Sequence, residues 1–275
     1  MLAHGESLDA DARGPDVGAS LVRVLTVLAG DVLADRVGAA PARVLALHGW
    51  GRSGADFARV VDGTDALAVH LPGFGPTAPP PESWGSVEYA THLAAALDGT
   101  GPYTVVAHSF GGRVAVRLAA AHPELVRSLV LTGVPLVRAT PPPRPRLALR
   151  VAKRLRAARV LPAGVVDRLR CSGGSADYQA AQGVMRGVLV RVVGEDYRED
   201  LARIAAAGTP VHLVWGELDD AAPLAGARLA AGFLPGAPLD VVPGAGHLLE
   251  GPLEAAVRDA LHARLAADGT PGGDA

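Results

Sequence analysis

Apolar runs of strand length recur along the chain, separated by stretches whose apolar positions return every three or four residues. Val44–Leu47, Ala66–Val69, Tyr103–Ala107, Ser128–Leu131, Val211–Trp215 and Leu239–Val242 each read as a buried strand. Helical patterns occupy about Gly54–Val61, Val87–Leu97, Gly111–Ala121, Pro223–Phe233 and Leu248–Ala266. Alternation of this kind predicts an α/β fold: a mainly parallel sheet with helices on both faces. Ahead of it, Leu21–Leu28 and Asp31–Val37 are β-like runs joined at Ala29-Gly30, which predicts a hairpin.

One interval breaks the rhythm. About 80 residues between Leu131 and Val211 have helical character and no convincing strand. They include Pro141-Pro142-Pro143-Arg144-Pro145 and Gly173-Gly174. An insertion this long inside a sheet is expected to be a helical cap, not a structureless loop. The expected organisation is a disordered arm over 1–18, a core over 19–137 and 201–267, a cap over 138–200 and a tail over 268–275. No internal repeat is visible.

Composition narrows the class. With 26 basic and 28 acidic side chains the formal net charge of the 275 residues is −2, which argues against a dedicated nucleic-acid binder. Mean hydropathy is positive at +0.24, yet no run of about 18 apolar residues is free of charge, so no stable membrane insertion is expected. The first residues carry Glu6, Asp9, Asp11 and Asp16 with no basic or apolar leader pattern, so the expected location is cytoplasmic. A single cysteine, Cys171, excludes an internal disulfide and a multi-cysteine metal site. No cluster of His, Asp and Glu has metal-ligand spacing. Gly49-Trp-Gly-Arg-Ser-Gly54 is Gly-rich after a strand, but lacks the lysine of a phosphate loop and the spacing of a dinucleotide fingerprint.

The strongest chemical signal is Tyr103-Thr-Val-Val-Ala-His-Ser-Phe-Gly-Gly112. A strand runs through Ala107-His108 into Ser109 and then directly into a helical pattern. A serine on so sharp a turn needs small neighbours two positions away on each side, and Ala107 and Gly111 supply them. The turn lifts the hydroxyl above the sheet and aims a helix N-terminus at developing negative charge. Alone, the pattern also describes an ordinary helix N-cap.

This strand–turn–helix motif resembles the nucleophile elbow of the α/β-hydrolase family, with Ala107 where glycine is usual. The family orders its triad serine, acid, histidine. The resemblance extends over about residues 20–267 and implies Ser109 as nucleophile, Asp219 as acid and His247 as base. Asp219 follows a strand in Gly216-Glu-Leu-Asp219-Asp220, with Asp220 as a competitor, and His247 follows a strand in Pro243-Gly-Ala-Gly-His247. Taken singly, the aspartate reads as a turn residue and the histidine as an exposed loop residue. Their order, each after its own strand, favours the triad. Val44-Leu-Ala-Leu-His48-Gly-Trp-Gly51 resembles the family's oxyanion-hole segment, which implies the backbone N–H groups of Trp50 and Phe110 as donors. The resemblance implies that His48 is structural or site-lining and that His108 is packed beside the elbow and not catalytic. His70 stands where the family commonly has aspartate, before Leu71-Pro-Gly-Phe-Gly75.

The function implied is a serine hydrolase acting on an ester-like or related small acyl substrate, with no metal and no organic cofactor. A carbon–carbon bond hydrolase would use the same triad, and a non-catalytic binding protein could keep the same fold. The serine argues against a dehalogenase or an epoxide hydrolase. The cap carries a further expectation: Arg138–Arg170 holds ten basic residues and one acid, a segment of +9 in a chain whose remainder is −11. Its simplest role is a solvated outer face; sharper ones are attraction of an anionic substrate or of an anionic membrane surface. Leu147–Leu155 and Val184–Val193 are expected to line or cover the acyl pocket.

Overall fold

The computed structural model describes residues 23–139 and 176–269. The expected N-terminal arm and almost all of the basic cap segment therefore lie outside the described residues. Eight strands form one sheet: β1 (Val24–Val27), β2 (Leu33–Val37), β3 (Val44–Leu47), β4 (Ala66–His70), β5 (Tyr103–His108), β6 (Val126–Thr132), β7 (Val211–Gly216) and β8 (Leu239–Val242). Their spatial order is β1-β2-β4-β3-β5-β6-β7-β8. The β1–β2 and β2–β4 pairs are antiparallel and the remaining pairs parallel. The expected hairpin is thus β1–β2, turned by a short 3-10 segment at Ala29–Asp31.

The helices are α1 (Ser86–Ala96), α2 (Ser109–Ala121), α3 (Ala176–Ala180), α4 (Gly183–Val193), α5 (Arg198–Ala206), α6 (Leu224–Ala231) and α7 (Gly251–Gly269). The period-two geometry of strands divides the apolar residues between two cores. Leu45, Leu47, Leu67, Val69, Val105, Ala107, Leu129, Leu131, Leu213 and Trp215 join the cluster that receives α1, α2, α4, α5 and α6. Their strand neighbours Val44, Ala46, Ala66, Ala68, Val106, Val130 and Val214 face the other way, onto Phe57, Val60 and Val61 and onto Leu253, Val257, Ala260 and Leu261 of α7. The central strands are covered on both faces, which is why they read as unbroken apolar runs.

The 54–61 stretch is not the full helix its spacing suggests. It forms a 3-10 segment over Gly54–Phe57, after which Val60 and Val61 are still buried. The main-chain N–H of Gly54 donates to His70 Nδ1 at 3.2 Å, which anchors this turn to the end of β4. The last helix runs to Gly269, past the start of the expected tail, and Asp268 accepts from Thr104 Oγ1 at 2.8 Å and Ser128 Oγ at 2.6 Å. Those bonds pin α7 to the amino ends of β5 and β6. Among the described residues no helix is long and apolar enough to cross a membrane.

Candidate active site

Strand β5 passes into α2 without an intervening loop, and Ser109 is the first helical residue. Its φ of +49° lies in the left-handed region, unusual for a residue with a Cβ and costing about 1–3 kcal/mol elsewhere in proteins. The surrounding structure holds the strain in place. Gly111 N–H donates to His48 O at 3.0 Å, drawing the first turn of α2 onto the end of β3. A Cβ at Gly111 would lie 2.2 Å from Leu47 O and 2.6 Å from His48 O, so no side chain fits there. Ala107 on the other side of the serine is fully buried. Close backbone packing thus requires glycine at 111, and Ala107 fills a fully buried position on the other side of the turn.

The carboxyl ends of β7 and β8 bring two more side chains to Ser109. His247 Nε2 lies 3.1 Å from Ser109 Oγ, and His247 Nδ1 lies 2.8 Å from Asp219 Oδ2. A carboxylate only accepts, so the imidazole proton sits on Nδ1 and the lone pair of Nε2 faces the serine hydroxyl. The Asp219 side chain has no exposed surface, and its Oδ1 accepts from Ala222 N–H at 2.7 Å. Ala222 in turn is held by Trp215 Nε1–H, which donates to its carbonyl at 2.7 Å. The two loops are clipped together: Leu218 N–H donates to Ala245 O at 2.9 Å, and Gly244 N–H to Glu217 Oε2 at 3.0 Å. The neighbouring Asp220 is exposed, and it is Asp219 that meets the histidine.

Three other histidines, His48, His70 and His108, have different surroundings. His48 Nδ1–H donates to Gly49 O at 2.7 Å, and its Nε2 accepts from Leu71 N–H at 3.1 Å, so the ring is saturated by main chain. Burial pushes His48 down to about 4, against only partial opposition from the Gly49 carbonyl. His70 bridges the Gly54 N–H and the Asp35 carboxylate, 3.3 Å from its Nε2. It is a structural tie between β4, β2 and the 3-10 segment. His108 is buried beside the serine, and burial together with nearby His247 lowers it to about 4.

Trp50 follows β3 and Phe110 is the second residue of α2, their rings packed edge to face with centroids 5.4 Å apart. Among the described residues neither main-chain N–H donates to another backbone carbonyl outside its own element. Phe74 packs on Trp50 at 5.0 Å and Tyr89 on Phe110 at 5.1 Å, giving an aromatic floor next to the serine. Helix α4 lies over this region, with Met185 packed on Gly73 and Val188 and Val192 buried in the main core. Val184–Val193 therefore combines core positions with exposed ones such as Val190 and Val193. Of the basic cap segment only Arg138 is described, and it donates to Val193 O. The 147–155 stretch lies outside the described residues.

A polar network absent from the sequence reading joins α4 and α5 to the core. Glu195 accepts from Ser86 N–H at 3.0 Å, Ser86 Oγ at 2.5 Å and Tyr197 Oη at 2.7 Å. Arg117 of α2 pairs with Asp200 at 2.5 Å and lies over the Tyr197 ring at 4.6 Å. Arg113, one turn nearer the serine, donates to Val192 O at 2.5 Å. The one available signal was the pair of arginines four apart on an otherwise apolar helix.

The fold and the elbow together define the family. The chain belongs to the alpha/beta hydrolase family, whose model matches residues 44–260. Over 98 residues it is 42% identical to the lipase LipV of Mycobacterium tuberculosis, a match covering 33% of this chain and 36% of that protein. It is 38% identical over 129 residues to the esterase Rv0045c of the same organism, covering 45% and 43%. A pimeloyl-[acyl-carrier protein] methyl ester esterase of Neisseria meningitidis is 38% identical over 95 residues, covering 33% and 36%. The matches thus span well under half the length of these curated relatives. Among solved structures, a thermophilic esterase superposes with a TM-score of 0.65 at 22% identity, covering 91% of this chain and 99% of that one. At that identity the likeness speaks for the fold.

Proposed function

We propose that the protein is a serine hydrolase that cleaves ester-like small acyl substrates through an acyl-enzyme. The observation that carries this reading is the continuous chain Ser109 Oγ, His247 Nε2, His247 Nδ1, Asp219 Oδ2, with links of 3.1 and 2.8 Å. A serine hydroxyl is a weak nucleophile, and a base within hydrogen-bond reach, itself oriented by a buried carboxylate, is what activates it.

In the proposed reaction Ser109 Oγ attacks the carbonyl carbon as its proton passes to His247 Nε2. The carbonyl π electrons move onto oxygen, and the Trp50 and Phe110 N–H groups receive the oxyanion, helped by the N-terminal end of α2. Asp219 stabilises the imidazolium. Collapse of the tetrahedral intermediate breaks the carbon–oxygen bond, and the alcohol leaves with the proton held on His247. Water then repeats the sequence on the acyl-enzyme, with His247 again as base, and releases the acid and free Ser109. The names of the lipase and esterase relatives support an ester as the bond cleaved. The aromatic floor of Trp50, Phe74 and Phe110 supplies apolar surface for an acyl chain.

Hydrolysis of p-nitrophenyl acetate, butyrate and octanoate by the wild type and by Ser109→Ala tests the reading. Turnover that depends on Ser109 is the expected result. A Ser109→Ala protein as active as the wild type refutes it.

A further inference from the structure

His108 adjoins the nucleophile in sequence, yet its ring is turned to the loop that carries the base. Its Nε2 lies 2.9 Å from His247 O, and since a carbonyl only accepts, the ring proton is on Nε2. The two imidazoles are stacked obliquely, with centroids 4.9 Å apart and an interplanar angle of 46°. His108 is 4% exposed, and its Nδ1 is buried with no partner among the described residues. A Cβ on Gly49 would come within 2.7 Å of that nitrogen, so the ring is wedged against the turn after β3.

A buried imidazole with one bare nitrogen is an expensive packing element, because the unpaired acceptor costs about 1–3 kcal/mol. A leucine would fill such a space without that cost. What the imidazole provides and leucine does not is the donor to His247 O. The 243–248 loop needs it: it contains Gly244 and Gly246, and its residues are exposed or half-buried. Its other main-chain ties fall at Gly244, Ala245 and Leu248, so among the described residues the bond from His108 is the one made to the backbone of residue 247 itself.

We propose that His108 is a positioning residue for the hydrolysis described above: by holding the main-chain carbonyl of His247 it fixes the imidazole within reach of Ser109. It touches neither substrate nor reacting atoms. The inference rests on the serine-hydrolase reading, and its test separates the two.

The test compares His108→Leu, which keeps an apolar filling and removes the donor, with His108→Gln, whose amide N–H reaches roughly where Nε2 was. His108→Asn is the control with an amide too short to reach. Active sites are counted by fluorophosphonate labelling, so that kcat with p-nitrophenyl acetate is expressed per competent serine. We expect kcat per labelled site to fall about 10- to 100-fold in the Leu and Asn variants, the scale of a displacement near 1 Å at the base. KM should stay within about twofold, and Gln should recover most of the loss. A purely structural role would lower the melting temperature and the number of labelled sites while leaving kcat per site unchanged. That result, or equal losses in Gln and Asn, overturns the proposal. If the Leu protein does not fold, the Gln and Asn pair decides alone. A wild type that is not labelled at Ser109 overturns the hydrolase reading and the inference with it.

Discussion

Replacing Gly111 by alanine adds one methyl group where two strands of main chain already meet. The new Cβ would stand 2.2 Å from Leu47 O, 2.4 Å from Leu47 C and 2.6 Å from His48 O. Non-bonded carbon and oxygen need roughly 3.2–3.5 Å, so α2 and β3 must separate by about 1 Å. Neither side yields cheaply, because Leu47 is a fully buried residue of a central strand and the contacts are to backbone. Overpacking of this sort costs about 1–3 kcal/mol, and the better helix propensity of alanine returns at most about 1 kcal/mol. A net loss of about 1–2 kcal/mol lowers the melting temperature by roughly 2–8 °C in a chain of this size. The same movement shifts Ser109, two residues earlier, relative to His247, and a misplacement near 1 Å is worth up to about 100-fold in kcat. Calorimetry and p-nitrophenyl acetate hydrolysis measure the two effects. Gly194→Ala is the control, since a Cβ there would meet only Arg191 O at 3.4 Å and Val190 O at 3.8 Å. Should Gly111→Ala melt and turn over like Gly194→Ala, the argument that close backbone packing builds the elbow is wrong.

Three further outcomes are expected. Asp219→Asn should cut kcat by about 10³–10⁴-fold with little change in fold, because an amide no longer enforces the proton on His247 Nδ1; Asp220→Asn should stay within about twofold, and equal effects would reassign the acid. Stability should fall as pH drops from 7 to 5: His48 and His108 sit near 4 in the fold against 6.5 unfolded, so the unfolded chain takes up protons first. That amounts to about 2 kcal/mol per ring at pH 5, and urea titrations in which His48→Gln leaves the pH dependence intact would contradict it. Glu195→Ala strips the acceptor from Ser86 N–H, Ser86 Oγ and Tyr197 Oη, and should cost about 2 kcal/mol by denaturant titration, with Glu195→Gln recovering part.

What could be read from the chain, and what could not, follows from how local each signal is. β3, β5 and β6 were legible because both faces are covered, leaving uninterrupted apolar runs whose length alone identifies a strand. The elbow was legible because its steric demand falls on neighbours within two positions, Ala107 and Gly111. Asp219 and His247 read singly as a turn residue and a loop residue; the resemblance to the family's serine–acid–histidine order pointed to them, and only the folded structure brings them to Ser109. The 54–61 stretch misled because Phe57, Val60 and Val61 have helical spacing, while the bond from Gly54 N–H to His70 Nδ1 depends on a strand sixteen residues away. The Glu195–Ser86–Tyr197–Arg117–Asp200 network links residues up to 114 apart, and no periodicity in one sequence encodes such pairings. The same is true of the His108 bond, 139 residues long in sequence.

In the proposed reaction everything turns on Ser109 as the nucleophile, activated by His247. Mass spectrometry of the protein after reaction with a fluorophosphonate tests it directly. One adduct is expected, mapping to Ser109 in the wild type, strongly slowed in His247→Ala and absent from Ser109→Ala. An active wild type that takes no adduct, or one whose adduct maps to another residue and persists in Ser109→Ala, would contradict it.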